Sequence, residues 1–245
     1  MKYIEYGREN KEVLIFLHGG GLSWWNYREV AELLQNDYHV VLPILNGHAG
    51  SDKDFVGIEE NAEDIIAFID EKFGGSVLAI GGLSLGAQIV AEILSKRKII
   101  CRYAVIESAL MIPMKVTHAL VKPMMDMSFG LIEKKWFAKM QFKSLKMKTE
   151  LFDDYYKDTC QITKGDMTAF LKANSNYELK AELADTKAKV CILVGQNESK
   201  KMRNSAKKLH ETIHGSVLVV IKGKYHGEYS LNCAEKYVDN LIRLL

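Results

Sequence analysis

The sequence predicts an α/β protein: a mostly parallel sheet flanked by helices, interrupted by one helical insertion. Three observations carry this. Short apolar runs of strand length alternate with amphipathic helical stretches over residues 1–110 and again over 184–245. Residues 111–183 between them show helix-like periodicity and no convincing strand. One apolar run, Ser76-Val77-Leu78-Ala79-Ile80, passes into a helical stretch, Ala87 to Leu94, through Gly82-Leu83-Ser84-Leu85-Gly86. That G-x-S-x-G turn between a strand and a helix lifts a serine to the tip of the strand and aims helix N–H groups at it.

The elements follow in order. Tyr3 to Tyr6 has the length of an edge strand, and Glu12 to Leu17 is a continuous apolar run of the kind buried on both faces of a parallel sheet. It ends in His18-Gly19-Gly20-Gly21, whose bare N–H groups can bend toward an anion; a plain flexible turn is the alternative. Tyr27 to Gln35 reads as a helix, Tyr38 to Pro43 as a strand, and Asn46 to Asp52 as a turn-rich loop. Ile58 to Lys72 is amphipathic, with Ile65, Ile66, Phe68 and Ile69 inward. Arg102 to Glu107 is the strand before the insertion. After it come a strand at Val190 to Val194, a helix at Lys201 to Thr212, a strand at Ser216 to Ile221 and a closing helix from Leu231 to Leu245.

Composition narrows the function classes. With 245 residues, 48% hydrophobic and 26% charged, the chain has the make-up of an ordinary globular protein. A net charge of +2 is too mild to argue for nucleic acid, and no nucleic-acid partner is expected. Cys101, Cys160, Cys191 and Cys233 are dispersed, with no C-x-x-C pair; this implies no metal site and a reducing, cytoplasmic setting. Glu5, Arg8 and Glu9 break any signal-peptide core. Phe73 to Ala91 is uncharged and long enough to span a bilayer, but its five glycines and its change of periodicity read as strand, turn and helix.

The motifs together resemble the α/β-hydrolase superfamily, over nearly all the chain outside the insertion. His18-Gly19-Gly20 follows a strand, the elbow surrounds Ser84, and Gly195-Gln196-Asn197-Glu198 and Gly223-Lys224-Tyr225-His226 each follow a strand. The order Ser, acid, His is the family's. Gly47-His48-Ala49-Gly50-Ser51-Asp52 is similar to a loop of the capped serine esterase and lipase-like branch, whose pattern is Gly-His-Gly-x-Ser-Asp. The chain departs from the family at Ile44, Asn46 and Ala49, where Asp, Pro and Gly are usual, and at Glu198, where Asp is commoner. A serine at the elbow separates it from the epoxide-hydrolase and dehalogenase branches, which carry Asp there.

The resemblance implies an α/β-hydrolase fold with a core at 1–110 and 184–245 and a cap at 111–183. It implies ester hydrolysis with Ser84 as nucleophile, His226 as base, Glu198 orienting His226, and an oxyanion hole from Leu85 and Gly20, with Gly19 beside them. No cofactor or metal is needed, and the partner is a small-molecule ester. A thioesterase or acyltransferase would use the same residues; a non-catalytic ligand-binding relative would not need all three. Glu107, also at a strand end, is the rival acid. Met111, Met114 and Met124, with Met125 and Met127, either line an acyl pocket or pack the cap on the core. His18 and His48 are expected to order their loops, His39 to sit in the sheet, His210 and His214 to be solvated, and His118 to lie in the cap. On a helix through 133–148, Trp136, Met140 and Met147 share a face between lysines. That face either docks on the core or, as a basic amphipathic helix, lies on an anionic membrane.

Overall fold

A computed structural model describes residues Met1–Leu245. Its sheet has seven strands: β1 (Tyr3–Tyr6), β2 (Val13–Leu17), β3 (His39–Pro43), β4 (Val77–Leu83), β5 (Cys101–Glu107), β6 (Lys189–Gly195) and β7 (Val217–Ile221). The order is β1-β3-β2-β4-β5-β6-β7; β1 runs antiparallel to β3 and every other pairing is parallel.

Alternation along the strands divides the core in two. Leu14 and Phe16 of β2 pack with Tyr27, α1 (Arg28–Leu34) and α10 (Ala234–Leu244), while Ile15 and Leu17 pack with α2 (Ile58–Phe73), α3 (Leu85–Lys96) and α8 (Lys200–Thr212). Both faces of the sheet are therefore covered, which is why β2 reads as an unbroken apolar run. The insertion leaves the sheet after β5 and returns to it at β6. It contains α4 (Lys115–Ser128), α5 (Lys135–Ser144), α6 (Phe152–Thr159) and α7 (Lys164–Asn176), the first three joined through short 3-10 turns.

Polar ties seat the insertion on the core. Gln88, buried on α3, donates through Nε2 to Leu110 O at 2.6 Å and Asn174 O at 3.0 Å, and its Oε1 accepts from Asn174 Nδ2 at 2.8 Å. The Tyr177 hydroxyl donates to Glu92 at 2.9 Å, Trp25 Nε1 to Asp158 at 2.8 Å, and Phe55 N to Asp166 at 2.7 Å. His118 Nδ1 lies 3.0 Å from Lys172 O, a tie between α4 and α7. All four cysteines are free, and no helix is long and apolar enough to cross a membrane.

Two helices differ from the sequence reading. The closing helix is split: α9 (Glu228–Asn232) ends where Cys233 leaves the helical region at φ −135°, ψ 49°, and α10 starts at Ala234. There Asn232 turns outward, accepting from Lys148 N at 2.9 Å and donating to Lys146 O at 2.7 Å. The basic run is not one helix either, because α5 stops at Ser144 and Lys146 adopts φ +57°, a conformation an α-helix cannot carry. Trp136 and Met140 are 63% and 55% exposed, Ala138 and Phe142 form the docked face, and Met147 turns inward and is buried.

At the elbow, β4 runs to Leu83 and α3 starts at Leu85, so Ser84 alone makes the turn. A Cβ on Gly86 would sit 2.2 Å from Leu17 O, so no side chain fits between α3 and the end of β2. Gly86→Ala is expected to cost about 3 kcal/mol or more, through overpacking against rigid backbone. Denaturant unfolding followed by circular dichroism measures this, and a variant as stable as the parent would mean the contact relaxes freely.

Candidate active site

Three loops at the C-terminal ends of the parallel strands meet above the sheet. Ser84 is held at φ 54°, ψ −110°, a strained conformation for a residue with a side chain. Its N–H donates to Glu107 O at 2.9 Å, which pins the turn to the end of β5. His226 stands between β7 and α9, and Glu198 between β6 and α8. These last two loops are laced together. Gln196 N donates to Ile221 O and Asn197 N to Lys224 O, both at 2.9 Å, and Gly223 N donates to Gln196 Oε1 at 2.9 Å. A Cβ on Gly195 would lie 2.4 Å from Lys224 O, so glycine permits the approach.

The side chains form one hydrogen-bonded chain. Ser84 Oγ lies 3.0 Å from His226 Nε2, and His226 Nδ1 lies 2.8 Å from Glu198 Oε2. A carboxylate only accepts, so Nδ1 carries the proton and Nε2 accepts from the serine hydroxyl. Glu198 Oε1 accepts from Gly195 N at 2.7 Å and Ser108 Oγ at 2.8 Å. Burial pushes the Glu198 carboxyl up, but the hydrogen bonds from His226, Gly195 and Ser108, with the nearby imidazole, outweigh it and hold it below its ordinary value. The buried group is thus an ionised acceptor with both oxygens engaged.

Glu107 has the opposite environment. It is 2% exposed, Oε1 accepts only from Ser230 N at 3.2 Å, and Oε2 has no partner. Burial, reinforced by the Glu198 charge, pushes it up to about 7. It supports the turn through its backbone carbonyl, and its carboxyl makes no hydrogen bond to His226.

The glycine loop is held by two neutral histidines. His18 Nε2 accepts from Leu45 N at 3.1 Å, so its Nδ1–H donates to Gly19 O at 2.9 Å. His48 Nε2 accepts from Gly21 N at 3.1 Å, so its Nδ1–H donates to Asn46 O at 3.0 Å. Burial holds His18 well below its ordinary value and lowers His48 to about 4. Of the three N–H groups considered for an oxyanion, Gly19 is engaged elsewhere, donating to Asn26 Oδ1 at 3.1 Å. Gly20 N has no partner, and Leu85, the first residue of α3, has none within the helix.

A cavity of about 80 Å³ opens beside Ser84 and His226, walled by Gly20, Leu22, Leu83, Leu145, Met147 and Leu231. The three methionines expected there are elsewhere. Met111 is buried in the core and its N–H donates to Ser205 Oγ at 3.0 Å; Met114 precedes α4, bonded through its backbone to Ser175; Met124 is 61% exposed on α4. Met147 occupies the wall because the left-handed turn at Lys146 swings it inward. Sequence reasoning also missed Ser108 and Asn26. Ser108 directly follows β5, the one signal that could have flagged it; nothing local marks Asn26.

A profile of the alpha/beta hydrolase family matches residues 14–238. Solved structures share the fold. A putative alpha/beta hydrolase family protein from Desulfitobacterium hafniense is 24% identical, with TM-score 0.79 over 99% of this chain and 98% of that one. The enol-lactonase from Burkholderia xenovorans LB400 is 12% identical, with TM-score 0.83 over 99% and 95% of the two chains. A thermophilic esterase from Thermogutta terrifontis is 14% identical, with TM-score 0.81 over 99% and 91%. No curated protein sequence matches significantly.

The Glu107 carboxyl makes a prediction about stability. Its folded value of about 7 exceeds its ordinary 4.5, so folding favours the protonated form. The penalty is absent below the unfolded value, grows as pH rises through this window, and reaches about 3 kcal/mol above it. Glu107→Gln removes the penalty, so the variant is expected to gain thermal stability over the parent at about pH 8.5 but not at about pH 5. Melting curves at both pH values check this; a difference that does not change with pH would contradict it.

Proposed function

This chain belongs to the alpha/beta hydrolase family, and on that premise we propose that it is a serine hydrolase cleaving carboxylic esters through an acyl-enzyme on Ser84. The observation that carries the reading is the Ser84–His226–Glu198 chain, with links of 3.0 and 2.8 Å. His226 Nε2 takes the hydroxyl proton as Ser84 Oγ attacks the ester carbonyl. Glu198, ionised and held by two further donors, keeps the imidazole in the required tautomer and balances the imidazolium. The N–H groups of Gly20 and Leu85 receive the oxyanion, the second reinforced by the α3 dipole. Collapse expels the alcohol, protonated by His226, and water then releases the acid by the same route. The apolar wall of Leu22, Leu145, Met147 and Leu231 suits an apolar group next to the scissile bond. Residues 111–183 act as the cap, since Leu145 and Met147 belong to them.

Ser84→Ala is expected to abolish both turnover of small acyl esters and labelling by a fluorophosphonate, with an unchanged circular dichroism spectrum. Glu198→Gln should lower kcat roughly a thousandfold or more, while Glu107→Gln keeps most of it. Equal labelling of parent and Ser84→Ala, or loss of turnover in Glu107→Gln alone, would overturn the assignment. A panel of matched esters and thioesters identifies the leaving group.

A further inference from the structure

Beside the active-site cavity lies a second and much larger depression that the hydrolytic reading leaves unused. It is a groove of about 780 Å³ between α5, the turn after it and the loop that carries His226. Met147 belongs to both walls, and Tyr225, at the groove's edge, directly precedes His226. The groove therefore adjoins the reaction centre.

Its chemistry is divided. Phe142, Met147, Phe152 and Tyr225 supply apolar and aromatic surface. Lys139, Lys143 and Lys146 also line it, and none of the three has an ion-pair partner within 4.0 Å. Neighbouring lysines are paired: Lys148 with Glu29, and Lys224 with Glu228 at 2.8 Å. The one carboxylate in the groove, Glu228, is thus already balanced, and it also accepts from Tyr225 N at 3.0 Å. Lys139 Nζ stands 6.0 Å from the centre of the Phe152 ring and Lys146 Nζ 5.4 Å from that of Tyr225. Lys143 lies one helical turn beyond Lys139 on α5, so both project from one side of the helix. Lys146 keeps a side chain at φ +57°, where glycine or asparagine is favoured, and Asn232 holds its carbonyl.

Three lysines outside any ion pair, over an aromatic floor, make a receptor for an anion attached to an apolar body. We propose that this groove binds the far end of the ester substrate, and that this end carries a carboxylate or similarly anionic group; the proposal rests on Ser84 being the hydrolytic nucleophile. Phe142, Phe152 and Tyr225 would cover the apolar body, and Lys139, Lys143 and Lys146 the charge. The substrate class is accordingly an acidic ester, not a neutral one.

The test compares 4-nitrophenyl octanoate with the mono-4-nitrophenyl ester of a nine-carbon dicarboxylic acid, and phenyl acetate with 4-carboxyphenyl acetate. The two pairs place the charge on the acyl and the alcohol side. In one pair the acidic ester should have a kcat/KM about tenfold higher, and about 0.5 M salt should erase the preference by screening. Lys139→Gln with Lys143→Gln and Lys146→Asn should remove the preference and leave the neutral ester within about twofold; Asn keeps the left-handed turn. Neutral esters favoured in both pairs, or an equal loss on acidic and neutral esters in the triple variant, would overturn the groove assignment. Failure of the hydrolytic reading is separate, because it shows as absent fluorophosphonate labelling of Ser84. In that event, binding of 4-phenylbutyrate against 4-phenylbutanol to Ser84→Ala, followed by NMR, decides the groove without turnover. Salt-sensitive preference for the acid, lost in the lysine variant, supports it, and equal binding rejects it.

Discussion

The first turn of α3 lies against the end of β2 with no room for a side chain between them, and the rest of the site is arranged around that contact. It sets Ser84 at the tip of β4 in a conformation costing about 1–3 kcal/mol. It also brings the glycine loop after β2 beside the N-terminus of α3, so that Gly20 and Ser84 share one cavity. The other two participants must travel to meet the serine. Three strand spacings separate β4 from β7, about 14 Å across the sheet. The segment carrying His226 spans that gap only because it is braced on the loop of Glu198, through Gln196, Asn197 and the bare backbone at Gly195.

Two buried carboxylates close to one another have been given opposite electrical characters by their neighbours. Glu198 gathers three donors and is stabilised as an anion; Glu107 has a single backbone donor and one unpartnered oxygen, and is pushed toward the neutral acid. Two full charges so near each other in a medium of low dielectric would repel, and the uneven division of donors avoids this. His226 contributes most to holding Glu198 as an anion, and Ser108, one residue after Glu107, adds to it, so one chain segment carries the raised carboxyl and part of the support for the charged one.

Features that depend on short-range packing are legible in the amino-acid sequence. Apolar runs mark strands that are covered on both faces, and the glycines around Ser84 mark a close backbone approach. The two buried acids are separated less sharply, because Glu107 closes β5 and Glu198 lies three residues beyond β6; the Gly-x-x-acid spacing favours Glu198, but the donors that set their charge come from elsewhere in the chain. The methionines are not placed by sequence either. Composition puts flexible apolar residues in the insertion, but their direction depends on where its helices stop, and a lysine in the left-handed region at 146 gives no composition signal. The same turn explains why the face of Trp136, Met140 and Met147 does not exist as one surface. Asn26, which takes the Gly19 N–H out of the oxyanion set, acts across seven residues with no periodic pattern to reveal it.

The break between α9 and α10 links these parts. If the helix ran unbroken from Leu231, Asn232 would lie mid-helix; instead it sits at the break and clasps the backbone at Lys146 and Lys148 on either side of Met147. The residue that roofs Ser84 is thereby fastened to the segment that begins with His226, not to the insertion alone. The wall beside Ser84 and the segment that begins with His226 are thus joined by two hydrogen bonds in which the outer helices of the insertion take no part. Lys139 and Lys143, which have no ion-pair partner, lie on α5 outside that clasp, so the wall of the cavity beside Ser84 is tied down independently of them.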